Sequence, residues 1–299
     1  MNNKPLYQRG NMVALCTLMQ LGTKHYVDQA AMERYAALYD KRMDGLLLAG
    51  TTGAGYLLPR STLIDGLLKP VKRTFSGIVA LNVTRDCPWE TIELAKQAEA
   101  EGANMCVLMV PSRTVGMSFE AQIAYIEEIV RSTQSPWMLY HIPSNGSVVD
   151  FRTISHFRDH PQIVRLKCSD PSREVADAFV RAAEARIAID MGWDTFIGDW
   201  LSEGRNFICG GSHLLLIQLE RLKAAAGQGH YPNVREINRL LDRWCGLAKA
   251  LDVPLHAINQ FAASELFGGS AEPPFPIRRL RSELCTPVKD EMCNFQLLK

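Results

Sequence analysis

The chain is 299 residues long and 47% hydrophobic, enough to bury the core of one large domain or of one domain with an appendage. Its 33 lysines and arginines offset 32 aspartates and glutamates, for a formal charge of +1 with no charged block or stripe, which argues against nucleic acid and anionic membrane as partners. No apolar run approaches the roughly 18 residues of a membrane span, and the N-terminus lacks a charged segment leading into an apolar one, so membrane insertion and secretion are not expected. In chain order the pattern predicts strand 12–19, helix 28–41, strand 45–50, helix 60–73, strand 77–82, helix 88–101, strand 104–110 and helix 119–132. It continues with strand 137–141, helix 150–158, strand 163–167, helix 173–185, strand 186–191, helix 194–203, strand 206–210 and helix 214–226. The strands are short and apolar on both faces, as strands inside a parallel sheet are. The helices carry apolar stripes, for example Ala31, Met32, Tyr35, Ala36 and Leu38 in the first.

Eight strands and eight helices in about 225 residues match an α/β fold of the (β/α)8, or TIM-barrel, type. An open doubly wound sheet is the structural rival, but eight near-equal units with no long glycine-rich first turn fit it poorly. After Gly227-Gln228-Gly229 come helical patterns at 233–251 and 254–267, then the Pro273-Pro274-Phe275-Pro276 turn and a short helix at 277–284. The expected organisation is therefore a barrel over 1–227 and a helical extension over 228–299 packed on it.

In such barrels the active site lies at the C-terminal ends of the strands. Lys167 closes the apolar run Ile163-Val164-Arg165-Leu166-Lys167, an amine at the rim of an apolar core. Burial there disfavours the ammonium and leaves a neutral nucleophile for a carbonyl. An unperturbed lysine, by contrast, is neutral in only about one molecule in 2,500 at pH 7. Tyr140 ends Trp137-Met138-Leu139-Tyr140, and Gly50, Thr51 and Thr52 follow the second strand. An amine, a phenol and a paired-threonine turn at three strand ends suggest one site that makes and breaks Schiff bases. The turn lacks the spacing of a nucleotide loop. His141 follows Tyr140, so strand alternation turns it to the opposite face. His213, after the eighth strand, is an open candidate for a substrate contact, and Asp194 and Asp199 either line the site or serve their helix. The remaining histidines show no ligand spacing, so no metal is expected. The eight cysteines form no Cys-x-x-Cys and read as free thiols in a reducing compartment, the cytoplasm by default.

These residues resemble, in order, the motifs of the dihydrodipicolinate synthase and N-acetylneuraminate lyase family of pyruvate-dependent class I aldolases: Gly50-Thr51-Thr52-Gly53, Tyr140-His141-Ile142-Pro143 and Leu166-Lys167. Val13-Ala14-Leu15-Cys16-Thr17, Gly192-Trp193-Asp194, Phe207-Ile208-Cys209-Gly210-Gly211-Ser212 and Pro273-Pro274-Phe275-Pro276 extend the likeness over most of the chain. The resemblance implies that Lys167 forms the imine and Tyr140 moves protons. It implies that Gly50, Thr51 and Thr52 bind the 2-oxo acid carboxylate, that Ile208 lies against the oxo acid through its main chain, and that the protein is a homo-oligomer, tetramer or dimer.

The departures narrow the expectation. Ala54 stands where the family has glutamate. Asn145 stands where dihydrodipicolinate synthases carry the arginine that grips the second substrate, which argues against that activity. Pro111-Ser112-Arg113 replaces Pro-Tyr-Tyr, so Arg113 is either a substitute anion binder or an interface residue. The expected function is a Schiff-base lyase or synthase joining or splitting pyruvate, or a similar 2-oxo acid, and an aldehyde or imine. No cofactor is expected, because the lysine imine is itself the electron sink. The alternatives are a 2-keto-3-deoxy sugar acid dehydratase using the same imine, and a non-catalytic paralogue that binds a 2-oxo acid.

Overall fold

Strands separated by helices must pair in parallel, and the computed structural model, which describes residues 8, 10–23, 26–110 and 117–298, shows them doing so. The elements are β1 (Met12–Ala14), α1 (Gln29–Tyr39), β2 (Gly45–Leu48), α2 (Lys69–Thr74), β3 (Ile78–Asn82), α3 (Pro88–Ala100), β4 (Met105–Met109) and α4 (Phe119–Val130). They continue with β5 (Trp137–His141), α5 (Phe151–Phe157), β6 (Ile163–Cys168), α6 (Arg173–Ala183), β7 (Ala188–Met191), α7 (Ile197–Ser202), β8 (Ile208–Cys209) and α8 (Leu216–Gly227). The hydrogen-bonded order runs β7-β6-β5-β4-β3-β2-β1-β8, and a parallel bridge between Met191 and Phe207 brings its two ends together. This is a (β/α)8 barrel with a C-terminal helical extension, α9 (Tyr231–Ala250), α10 (Leu255–Phe267) and α11 (Ser282–Asn294).

Alternation divides the core in two. Met12, Ala14, Leu47, Ala80, Val107, Met138 and Ile208 fill the barrel interior. The intervening positions, such as Val13, Leu46, Val79, Cys106, Leu139, Leu166 and Ile189, pack outward against the helices. Local chemistry starts the helices: the Asp28, Ser118 and Asp150 side chains accept from backbone N–H groups of α1, α4 and α5, and Pro88 opens α3. All eight cysteines are free thiols, and four of them are buried. No helix among the described residues is long and apolar enough to cross a membrane.

Several boundaries differ from the sequence pattern. The first strand stops at Ala14 rather than 19, because Thr17 turns its hydroxyl to the Gly53 carbonyl (2.6 Å) and Met19 instead bridges Val27 and Ser270. The helix expected over 60–73 is π-helical from Thr62 to Leu68 before it tightens into α2, just ahead of Pro70. The last helix, expected at 277–284, starts at Ser282 and runs through Pro287 to Asn294. Packing of Val288 and Met292 into the core outweighs the hydrogen bond that the proline cannot donate. Between β5 and β6, Trp137 pairs with Ile163 but Met138 pairs with Arg165. Val164 is thus an extra residue, a bulge that sets Arg165 and Lys167 in phase on the interior face with Met138 and Tyr140.

Candidate active site

Parallel strands bring their C-terminal ends to one rim, and register sets what meets there. Tyr140 of β5 pairs with Lys167 of β6, and both are nearly inaccessible, 2% and 3% exposed. Lys167 Nζ donates to the Tyr140 phenol oxygen at 3.1 Å and stands 4.4 Å from the ring centroid. Thr51 Oγ1 lies 3.4 Å from the same oxygen, and Ser169 Oγ donates to it at 3.4 Å. Burial alone would push the phenol up, but the Lys167 ammonium and the hydrogen bonds from Ser169, Thr51 and Lys167 bring it below the ordinary tyrosine range. An amine and an acidified phenol in contact, shielded from water, form a proton-exchanging pair.

The threonine turn is held from several sides. Ala49 and Ala54 both adopt left-handed backbone (φ 58° and 48°), and a β-carbon on Gly55 would stand 2.3 Å from that of Ala49. Arg85 clamps the turn by donating to the Gly55 and Leu58 carbonyls (3.2 and 2.9 Å), and Asn82 Nδ2 donates to Ala49 O at 3.1 Å. The two hydroxyls diverge. Thr51 faces Tyr140, whereas Thr52 Oγ1 faces Gly210, where a β-carbon would approach it to 2.3 Å. Gly50 joins β2 to this turn, and Ile208 of β8 is wholly buried in the barrel interior. Asn145, in the single 3-10 turn after β5, donates from Nδ2 to Thr51 Oγ1 at 3.4 Å. Lys167, Tyr140, Thr51 and Asn145 therefore converge, with Thr52 and Ile208 on the β8 side. Arg113, with Pro111 and Ser112, lies outside the described residues.

Four further features went unassigned in the sequence reading. Ser169 shares the phenol with Lys167; its place two residues beyond the lysine was the available signal. Gly192 leaves room for both, since a β-carbon there would lie 2.2 Å from Ser169 Oγ and 2.8 Å from Lys167 Cε. The extension also reaches the rim: Asn259 Nδ2 donates to the Gly210 and Gly211 carbonyls (3.2 and 2.8 Å), and Gln260 Nε2 to Thr17 O (3.0 Å). Arg165 and Asp190 form an ion pair inside the barrel, fully buried at 2.6–2.7 Å.

Of the remaining polar candidates, Asp194, His141 and His213 make buried contacts within the scaffold, and Asp199 lies at the surface. Asp194 lies in a 3-10 turn rather than an α-helix, and its carboxylate accepts from Ser212 N (2.8 Å), Ser212 Oγ (2.5 Å) and Gly211 N (3.3 Å), fastening the β8 loop. Burial raises its carboxyl above the usual range, against those hydrogen bonds and the Lys167 charge. Asp199 is exposed on α7 beside Arg235 and Arg239. His141 faces away from Lys167, accepting from Val149 N on Nδ1 (3.1 Å) and meeting Asp170 through Nε2 (3.3 Å). Among the described residues no group of three His, Cys, Asp or Glu could hold a metal ion.

His213 is fully buried and is not at the rim opening. Its Nδ1 donates to Gly210 O (2.9 Å), its Nε2 meets the Tyr35 hydroxyl, and Tyr39 OH donates to its carbonyl (2.8 Å). Burial brings its imidazole down to about 4. Below the unfolded value of about 6.5 the unfolded chain binds a proton that the folded chain refuses, so stability falls as pH drops from 6.5 towards 4. The slope is about 1.4 kcal/mol per pH unit. His213→Asn, which keeps a donor near Gly210, is expected to flatten this stretch of the urea-midpoint profile; an unchanged slope contradicts the assignment.

The model of the dihydrodipicolinate synthetase family matches residues 8–256. The chain is 30% identical over 237 residues to a 4-hydroxy-tetrahydrodipicolinate synthase of Mycobacterium leprae (strain Br4923), covering 73% of each chain. It is 26% identical over 239 residues to the enzyme of that name from Halorhodospira halophila (strain DSM 244 / SL1), covering 78% and 79%. In fold it is similar to KD(P)GA from T. tenax (TM-score 0.85, 20% identity, 97% of this chain and 99% of that one). The dihydrodipicolinate synthase from Acinetobacter baumannii complexed with pyruvate is similar too (TM-score 0.86, 18% identity, 97% and 99%). The chain belongs to the dihydrodipicolinate synthetase family, and with it to the class I, Schiff-base-forming lyases and aldolases.

Proposed function

We propose that this protein forms an imine between Lys167 and pyruvate, or a similar 2-oxo acid, and uses it to make or break a carbon–carbon bond with an aldehyde or imine. The observation that carries the reading is the 3.1 Å contact between Lys167 Nζ and the Tyr140 phenol, sealed from water beside Thr51. Nζ attacks the ketone carbon, water leaves, and the protonated imine draws electrons from C3, whose proton passes to that water to give an enamine; after the carbon–carbon step water adds back across the imine and frees Nζ and the 2-oxo product. The enamine carbon attacks the aldehyde carbon while Tyr140 protonates the aldehyde oxygen. In reverse, Tyr140 removes the C4 hydroxyl proton, the C3–C4 bond breaks, and its electrons return to the imine. Gly50, Thr51 and Thr52 bind the carboxylate, with Ile208 alongside through its main chain. No added cofactor takes part in this scheme. A homo-oligomer, tetramer or dimer, in the cytoplasm completes the reading.

The relatives are named 4-hydroxy-tetrahydrodipicolinate synthases. We assign this chain a different acceptor, because Asn145, at the place where the resemblance puts a carboxylate-gripping arginine, spends an amide hydrogen on Thr51. Product analysis decides: aldehydes with a distal carboxylate should turn over no faster than uncharged ones, and a clear preference for the carboxylate refutes the assignment. The core reading is tested by borohydride reduction with pyruvate, intact mass and peptide mapping. A pyruvyl adduct on Lys167 is expected; no adduct with any 2-oxo acid overturns it. Gly192→Ala crowds Lys167 Cε and should slow trapping by between about 10- and 100-fold, since a displacement near 1 Å costs on that order.

A further inference from the structure

Arg165 precedes Lys167 by two residues on the same inward face, and both belong to a strand that is otherwise apolar. Its guanidinium grips Asp190 bidentately, Nε to Oδ2 at 2.7 Å and Nη2 to Oδ1 at 2.6 Å, and Nη2 also donates to Gly10 O at 2.9 Å. Both side chains are 0% exposed. Asp190 is the Cα partner of Lys167 across β6 and β7, so the carboxylate side chain starts about 4.8 Å, one strand spacing, from the lysine. Arg165 starts about 6.6 Å below it.

A buried ion pair is a poor device for stability, because apolar residues of equal volume would serve as well. Its electrostatic reach is another matter. In a low-dielectric interior either charge alone would move the proton equilibrium of an amine one strand away, and the two act with opposite sign. Among the described residues, the other ionisable groups around Lys167 are the Tyr140 phenol from β5, the Asp194 carboxyl after β7 and the Cys209 thiol of β8. The interior residues Met12, Ala14, Leu47, Ala80, Val107, Met138 and Ile208 carry no charge.

We propose that Arg165 and Asp190 are positioning residues that act on Lys167 as a charge-balanced floor, setting the pH at which its amine becomes nucleophilic. The inference rests on the assignment of Lys167 as the nucleophile but is read without pyruvate. The full chain is labelled across pH by reductive methylation with formaldehyde and cyanoborohydride, and Lys167 is followed by peptide mapping. Arg165→Met removes the positive charge of the pair and keeps the carboxylate near the ammonium, which should raise the labelling midpoint by about one pH unit. Asp190→Asn removes the negative charge and keeps the guanidinium, which should lower it by about as much. Arg165→Met with Asp190→Leu should return it to the wild-type value.

Shifts of opposite sign are the signature, since a scaffold role would weaken folding in both single variants without separating their midpoints. Equal midpoints, or shifts in one direction, overturn the proposal. Should Arg165→Met not fold, Asp190→Asn against the double variant gives the same test, because removing the arginine must then raise the midpoint. Midpoints that separate while wild-type protein fails to trap pyruvate sink the imine reading alone. Trapping with unmoved midpoints sinks this inference alone.

Discussion

Lys167→Met is expected to fold, to lose every trace of the borohydride-trapped adduct, and to turn over at least about 10⁴-fold more slowly than the wild type. Methionine is unbranched and fills most of the volume of the lysine stem, and it removes a buried amine that needs a polar partner, so the scaffold has little reason to suffer. What disappears is the only atom in the scheme that bonds to the substrate. Effects of groups that act together are strongly non-additive, so losing the nucleophile removes the contribution of Tyr140 and the threonine turn as well. Residual activity would come from substrate binding and orientation alone. The checks are a thermal melt, which should shift by no more than a few degrees, and quantified release of pyruvate from a 4-hydroxy-2-oxo acid. Activity within tenfold of the wild type would show that another group carries the chemistry.

The rim was legible in the sequence because parallel topology leaves little freedom. Once the apolar runs are taken as parallel strands, whatever ends them must gather at one end, and Tyr140, Lys167 and the turn at Thr51 each end one. What eluded the reading depends on contacts between distant segments. Arg165 sits inside an apolar run, and only the bulge at Val164, which belongs to the pairing of β5 with β6, sets it level with Met138 on the interior face. Asp190 has no distinguishing spacing in the sequence, and only the register of β6 with β7 sets it beside the lysine. Gly192 was legible only as part of a family motif, since the need for a bare α-carbon comes from Lys167 and Ser169 at the end of a neighbouring strand. His213 also depends on contacts between distant segments. Its position after β8 leaves a substrate contact open, and the structure turns it towards Tyr35 and Tyr39 of α1.

Tyr140→Phe separates imine formation from bond making. The variant keeps the ring over which Lys167 Nζ stands and removes only the hydroxyl to which Lys167 and Ser169 donate and beside which Thr51 lies. Lys167 should still be trapped with pyruvate, more slowly, because the ketone remains within reach of the amine. Carbon–carbon cleavage and condensation should fall by about 10²- to 10⁴-fold, the range of a lost proton-transfer group. The pH profile adds a sign. Burial raises the phenol, but the Lys167 charge and the three hydrogen-bonding neighbours bring it below its usual value near 10. In the condensation direction the phenol must hold its proton, so wild-type activity should decline as pH rises through a value below 10. In the cleavage direction the phenolate is the base, and activity should rise through the same value. Both limbs should vanish in the phenylalanine variant, because no titrating group remains at that position. If the limbs persist, or if cleavage drops no more than twofold, the proton reaches the substrate by another route, and Tyr140 does no more than hold the lysine in place.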